Sequence, residues 1–272
     1  MIELAVERIA AAAQAEIAAR GTEGHPSRAV VDTREVQPDD LFVGLRGERV
    51  DGGAFAAAAL EAGAWGVLVA GEHAEGLEGG WVLSASDPLE ALGSLAREWR
   101  RELGARVVGV TGSVGKTSVK DICATLLPGS VHASPENFNT EIGLPLTVLA
   151  APAGTDVLVL EMAMRGSGQI AELAAIAEPD VAVITNVEPV HIELLGSVEA
   201  IAAVKAEVLG HLPGDGAAVV PAEAGALEPH LGGVPKVIRF GKGGDIRLVE
   251  AEVTDGHAAA LISTPDGEQR FE

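Results

Sequence analysis

The stretch VVGVTGSVGKTSV at residues 107–119 constrains the fold more than any other part of the chain. An apolar run enters glycines at 112 and 115 and ends in Lys116, Thr117 and Ser118, where a helix can begin. Glycines let the backbone turn tightly, so that successive N–H groups face one anion, and a following helix adds its positive N-terminal end. Gly112, Ser113, Gly115, Lys116, Thr117 and Ser118 are therefore candidate polyphosphate-binding residues, with Lys116 reaching the outer phosphates and Thr117 ligating Mg²⁺. The common phosphate-loop spacing requires glycine at position 110, which is Val110 here. The anion nest survives that change, which points to a subclass of the motif. The alternative is a Gly-rich strand–helix turn carrying a surface lysine.

Such a loop implies an α/β fold, and the surrounding pattern agrees. Short apolar runs at 107–110, 157–160, 181–184 and 218–220 read as strands buried on both faces of a parallel sheet. Upstream, residues 1–20 read as an amphipathic helix. Strands at 29–31, 41–43 and 66–69, with an Ala-rich helix, form a small α/β unit closing near Ser84. Ser86 or Asp87 can cap the next helix, Pro88 suits its first turn and Glu90 favours its dipole. That helix reads as the connection into a second domain, so the expected division is 1–84 and 85–272. After Lys236, KVIRFG, IRLVEAEVTDG and HAAALISTPDGEQRFE read as an antiparallel extension, and Glu272 falls inside a strand-like piece.

A formal net charge of −21 without a basic run argues against a nucleic-acid or anionic-membrane partner. It also means that bound polyphosphate needs local compensation from N–H groups, lysines and Mg²⁺. Cys123 is the single cysteine, which excludes an internal disulfide, fits a reducing compartment and sits where a packed helix position is expected. The N-terminus lacks a basic signal-peptide region, and no apolar stretch approaches the ~20 residues of a membrane span. A cytosolic monomer is expected.

Two more side chains fall near the same sheet edge, and a third lies on an apolar helix face. Glu161 ends a buried strand, where a carboxylate can hold Mg²⁺. His191 follows the next strand by a short loop, but Mg²⁺ prefers oxygen, so an imidazole there needs anionic oxygens beside it. On a helix capped by Ser197, a wheel with Ile201 at zero puts Lys205 near +40°, inside the sector of Val208 and Leu212. Desolvation lowers a lysine's pKa, and a neutral amine can add CO₂ to become an anionic carbamate. Read alone, Glu161 is also a solvated strand-end acid, His191 a packed histidine, and Lys205 a lysine whose stem packs while its head reaches water.

VVGVTGSVGKTSVK, ENFNTEIGLPLTVL, LEMAMRGSGQI and HIELLGSVEAIAAVKAEV resemble the ATP-dependent Mur ligases of peptidoglycan synthesis, and DTREVQPDDLFVGLRGERVDGGAF resembles their UDP-binding N-terminal domain. Val110 is normal for the family loop, and NFNTEIGLPLT and EMAMRGSGQI favour the branch that adds D-Ala-D-Ala to UDP-N-acetylmuramoyl-tripeptide. The resemblance implies a carboxylate that attacks the γ-phosphate of ATP, then an amine that displaces phosphate from the acyl-phosphate. It implies Lys116 at the transferring phosphoryl group, Thr117 and Glu161 at one Mg²⁺, and His191 with carbamylated Lys205 at a second. Asn137, Asn139 and Thr140, with Thr33, Arg34, Arg46 and Gly47, are implied contacts of the UDP-sugar peptide. Thr33 replaces the usual serine, and Gly53 stands where histidine is common. The resemblance also implies an adenine-contacting segment and an amine-carrying C-terminal Rossmann-like domain beyond Glu272, so residues 1–272 alone are expected to hold UDP-sugar and some ATP without turnover. The dipeptide-using branch, the folylpolyglutamate synthetases and a plain P-loop NTPase or kinase are the alternatives. The UDP-domain motifs and the Lys205 helix weigh against the last.

Overall fold

The structure, a computed structural model, describes residues 3–190, 195–254 and 257–271. The chain forms two compact units, Met1–Arg106 with Leu127–Leu158, and Val107–Leu126 with Val159–Glu272.

In the first unit, α1 (Val6–Ala12) is followed by β1 (Glu16–Ala19), so the helix expected over residues 1–20 stops early. Gln14 turns the chain with φ 50°. β1 then pairs antiparallel with the strand Trp81–Ala85, Glu16 opposite Ser84 and Ile17 opposite Leu83. Satisfying a sheet edge outweighs the intrinsic helix preference of an Ala-rich segment. There follow β2 (Ala29–Val30), β3 (Leu41–Val43), α2 (Ala56–Glu61), β4 (Gly66–Ala70), α3 (Gly71–Ala74) and β5 (Trp81–Ala85). The sheet order is β1-β5-β4-β3-β2, with β2 to β5 parallel. Phe42, Val67, Val69 and Val82 meet Ala59 and Leu60 in its core.

α4 (Pro88–Leu103) starts where Asp87 accepts from the N–H groups of Leu89 and Glu90, and stops at Gly104 with φ 63°. The left-handed conformation suits glycine and ends the helix. Its apolar stripe, Leu92, Leu95, Ala96 and Trp99, is fully buried.

β6 (Arg106–Thr111) leads through the Gly-rich loop into α5 (Lys116–Leu126), then β7 (Val131–Ala133), α6 (Gly143–Ala150), β8 (Val157–Glu161), α7 (Gln169–Ala177), β9 (Val181–Ile184), α8 (Val198–Ala206), β10 (Ala217–Pro221) and β11 (Lys236–Phe240). Within the first unit α4 packs against α1 and α6, and the indole N–H of Trp99 donates to the Ala151 carbonyl at 3.1 Å. The second sheet has the order β11-β10-β9-β6-β8-β7. β6–β9, β9–β10 and β10–β11 are parallel pairs. KVIRFG is thus the edge strand of the parallel sheet and not the start of the antiparallel extension. The crossover through the 3-10 turn Gly225–His230 returns the chain in the same direction, which a tight hairpin cannot do.

The antiparallel extension is β12 (Arg247–Thr254), β13 (His257–Thr264) and β14 (Gly267–Phe271). Thr264 faces Gly267 across the Pro265-Asp266 turn. Among the described residues no helix is long and apolar enough to cross a membrane.

Candidate functional site

The carboxyl ends of three neighbouring parallel strands converge in the second unit. β6 delivers Gly112, β8 delivers Glu161, and β9 delivers Thr185 and Asn186. Ligands bind α/β sheets at this edge because the loops there leave backbone donors uncovered. Gly112 has φ 150°, and a Cβ on it would lie 1.8 Å from the Thr185 hydroxyl oxygen, so no other residue fits. Gly115 has φ 79° and opens onto empty space. Gly115 to Ser118 enter the first turn of α5, whose N–H groups have no intrahelical acceptor.

Lys116 is half-buried, and its ammonium donates back to the Gly112 carbonyl at 3.0 Å. The Thr117 hydroxyl donates to a Glu161 carboxylate oxygen at 2.9 Å. Glu161 is 2% exposed. A hydroxyl and a buried carboxylate in contact form an all-oxygen donor pair, the chemistry that suits Mg²⁺.

Lys205 lies on α8, whose N-cap Ser197 accepts from the N–H of Ala200. Lys205 is 2% exposed, on a helix whose Ile201, Ala202 and Val204 are buried as well. Burial, reinforced by the positive charge of Lys116, pushes its pKa down from 10.5 to about 8. The helix ends at Ala206 and continues as the 3-10 turn Glu207–His211, so the α-helical wheel does not extend to Leu212. His191 lies outside the described residues.

The candidate substrate residues lie in the first unit. Thr33 opens the 3-10 turn Thr33–Glu35, capped by Asp32, which accepts from the Arg34 N–H at 3.0 Å and from Arg34 Nε at 2.9 Å. The Arg34 side-chain bond, helped by the Arg34 backbone N–H, holds the Asp32 carboxyl down at about 2. Arg46 donates to Asp51 at 3.2 Å and to Glu72 at 2.5 Å, and the Gly47 N–H donates to the Val50 carbonyl at 3.0 Å. At Gly53 an added Cβ would lie 2.3 Å from the His73 ring. The His73 imidazole fills that space, with Nε2 3.1 Å from an Asp51 oxygen. Asn137 is exposed, its carbonyl accepts from the Asn139 N–H at 2.8 Å, and the Thr140 hydroxyl sits 3.4 Å from the Gly143 N–H as α6 begins.

Three bracing residues escape sequence reasoning. Asn186 Oδ1 accepts from the N–H groups of Ser113 and Val114 at 2.9 and 3.0 Å. The Thr185 hydroxyl donates to the Val114 carbonyl at 2.7 Å. Glu207 accepts from the N–H groups of Gly168 and Ala171 at 2.8 and 3.1 Å, capping α7. A short polar pair directly after a strand signals the first two. Nothing local signals Glu207, whose partners lie far back in sequence.

Two family models match the chain, Mur ligase middle domain over residues 110–271 and Mur ligase family, catalytic domain, over residues 29–100. The UDP-N-acetylmuramoyl-tripeptide–D-alanyl-D-alanine ligase of Bacillus subtilis is 46% identical over 187 residues, 68% of this chain and 41% of that protein. The ligase of the same name from Synechocystis is 46% identical over 192 residues, 70% of this chain and 42% of that protein. Among solved structures, a MurF from Acinetobacter baumannii superposes with a TM-score of 0.89 at 25% identity, covering 98% of this chain and 59% of that one. The MurF ligase of Thermotoga maritima, solved in complex with ADP, gives 0.80 at 35% identity, covering 89% of this chain and 57% of that one. The chain spans less than half the length of the two curated relatives.

Proposed function

The chain belongs to the Mur ligase family, and on that basis we propose that it forms the nucleotide- and UDP-substrate-binding part of a MurF-type ligase. The reaction is ATP-dependent addition of D-Ala-D-Ala to UDP-N-acetylmuramoyl-tripeptide, carried out in the cytosol by a monomer. The observation that carries this reading is the contact of the Thr117 hydroxyl with buried Glu161 at the mouth of the glycine loop. It combines a phosphate nest with an oxygen pair at one sheet edge.

In the proposed chemistry, a carboxylate oxygen of the tripeptide attacks the γ-phosphorus of ATP, and the bond to ADP breaks. The amine of D-Ala-D-Ala then attacks the acyl carbon, phosphate leaves, and the amine gives up a proton. The loop amides and Lys116 hold the phosphates and offset charge that develops during transfer. Thr117 and Glu161 would hold one Mg²⁺, and Lys205 with His191 a second. Bound there, the ions would supply positive charge that offsets the repulsion of two anionic reactants. For Lys205 to serve, its neutral amine takes up CO₂, an N–C bond forms and one proton passes to solvent. Its depressed pKa supports this, because more neutral amine is present near neutrality. In the first division, residues 1–84, Thr33, Arg34, Arg46 and Gly47 would take the UDP moiety. In 85–272, Asn137, Asn139 and Thr140 would take the muramoyl peptide, and Gly112 to Ser118 the ATP.

The test is incubation of the full-length protein with ATP, Mg²⁺, UDP-N-acetylmuramoyl-tripeptide and D-Ala-D-Ala, with mass spectrometry for the pentapeptide product. Product that disappears in Lys116→Ala is expected. Undiminished turnover in that variant would overturn the assignment of the loop.

A further inference from the structure

The two halves of the glycine loop are fastened differently. Its front half, Gly112 to Val114, is tied to the end of β9. Asn186 Oδ1 accepts from both the Ser113 and Val114 N–H groups, at 2.9 and 3.0 Å. The Thr185 hydroxyl donates to the Val114 carbonyl at 2.7 Å. The Ser113 hydroxyl donates to the Glu188 carbonyl and accepts from the Glu188 N–H, both at 3.0 Å. Thr185 also occupies the space that a side chain on Gly112 would need. The back half, Gly115 to Ser118, is tied through side chains instead, the Thr117 hydroxyl to Glu161 and the Lys116 ammonium to the Gly112 carbonyl, and its N–H groups begin α5.

We propose that Asn186 is a positioning residue for the nucleotide loop: it permanently takes the Ser113 and Val114 amides, so that only the Gly115 to Ser118 amides receive phosphate. The inference rests on the nucleotide-binding reading of the loop. Its rival is that Asn186 stands in for an absent anion and hands the two amides over when phosphate arrives. The geometry favours the brace. The peptide between Ser113 and Val114 is held through its N–H by Asn186, and the next carbonyl is held by Thr185. The neighbouring Ser113 side chain is closed in a reciprocal pair with Glu188. Handing the two amides to phosphate would move the loop against the Thr185 and Glu188 bonds and leave Asn186 Oδ1 without its two donors, one of them in a part-buried bond. The arrangement also gives Val110 a physical sense. A loop whose front half is fixed from outside by β9 does not depend on a glycine at position 110 to shape it.

Two measurements on the protein test this, both with Mg-ADP as the probe. In amide NMR of the unaltered protein, the Gly115 to Ser118 resonances are expected to move on titration, while Ser113 and Val114 stay in place. In calorimetry, Asn186→Ala is expected to bind Mg-ADP about tenfold more weakly, as the Val114 amide loses its acceptor, the Ser113 amide keeps only the Asn186 backbone carbonyl at 3.3 Å, and the nest drifts, with the melting temperature little changed. Movement of Ser113 and Val114 comparable to that of Gly115 to Ser118, or equal or tighter binding by Asn186→Ala, would overturn the proposal. If the variant fails to fold, the NMR titration of the unaltered protein still decides. Absence of any Mg-ADP binding by the unaltered protein would instead sink the nucleotide reading beneath it.

Discussion

Replacing Lys205 with methionine keeps much of the buried volume and removes the ionisable head. Lys205 is 2% exposed, and its pKa falls from 10.5 to about 8 through burial and then the charge of Lys116. That fall corresponds to about 3 kcal/mol in favour of the neutral amine, at about 1.4 kcal/mol per pKa unit. The sign follows from proton counting. Below about pH 8 both folded and unfolded states carry the proton, and the folded state bears the full penalty. Between about 8 and 10.5 the unfolded state binds the proton and the folded state does not, so stability rises with pH. Lys205→Met should therefore be more stable than the unaltered protein at pH 7, by up to about 3 kcal/mol, and the gap should narrow as pH approaches 10. The assay is urea unfolding of both proteins from pH 7 to 10, in CO₂-free buffer with chelator. Adding bicarbonate at pH 8 to 9 should close the gap sooner if the amine takes up CO₂. Parallel pH curves for the two proteins would refute a desolvated lysine.

Gly112→Ala should destabilise the protein by about 2 kcal/mol or more, because the new methyl would meet the Thr185 hydroxyl at 1.8 Å at a φ of 150°; thermal melting measures it, and Gly115→Ala, at φ 79° with open space around it, tests strain without collision. Asp32 should remain ionised to about pH 2, with any contribution to stability full above 3.8 and lost as pH falls from there through about 2. Arg34→Ala should return its titration, followed by carboxyl NMR, toward the ordinary value. Cys123, the single thiol, is half-buried with its pKa raised by burial, so alkylation at pH 8.5 should be slower than for free cysteine.

Elements with a strong local signal were legible in the sequence. The apolar run at 181–184 is β9, Asp87 and Ser197 cap their helices, and Lys205 is buried where the wheel put it. The failures share one cause, since each depends on a partner distant in sequence. Residues 16–19 become a strand only because the Trp81–Ala85 edge accepts them, and Lys236–Phe240 runs parallel because β10 lies beside it. Asn186 and Glu207 matter through backbone N–H groups of loops 72 and 39 residues earlier, which no spacing rule reaches. At the site, the glycine loop was readable because its chemistry is contiguous. The support from β9 was not, because the hydrogen-bonding residue and the loop that it holds belong to different strands.

The proposed function requires that the protein bind UDP-N-acetylmuramoyl-tripeptide. Titration calorimetry of the protein with UDP-N-acetylmuramoyl-tripeptide and, separately, with the dipeptide tests it most directly. Tighter binding of the tripeptide is expected, weakened by Arg34→Ala and Arg46→Ala. Tighter binding of the dipeptide, or no binding of either, would contradict it.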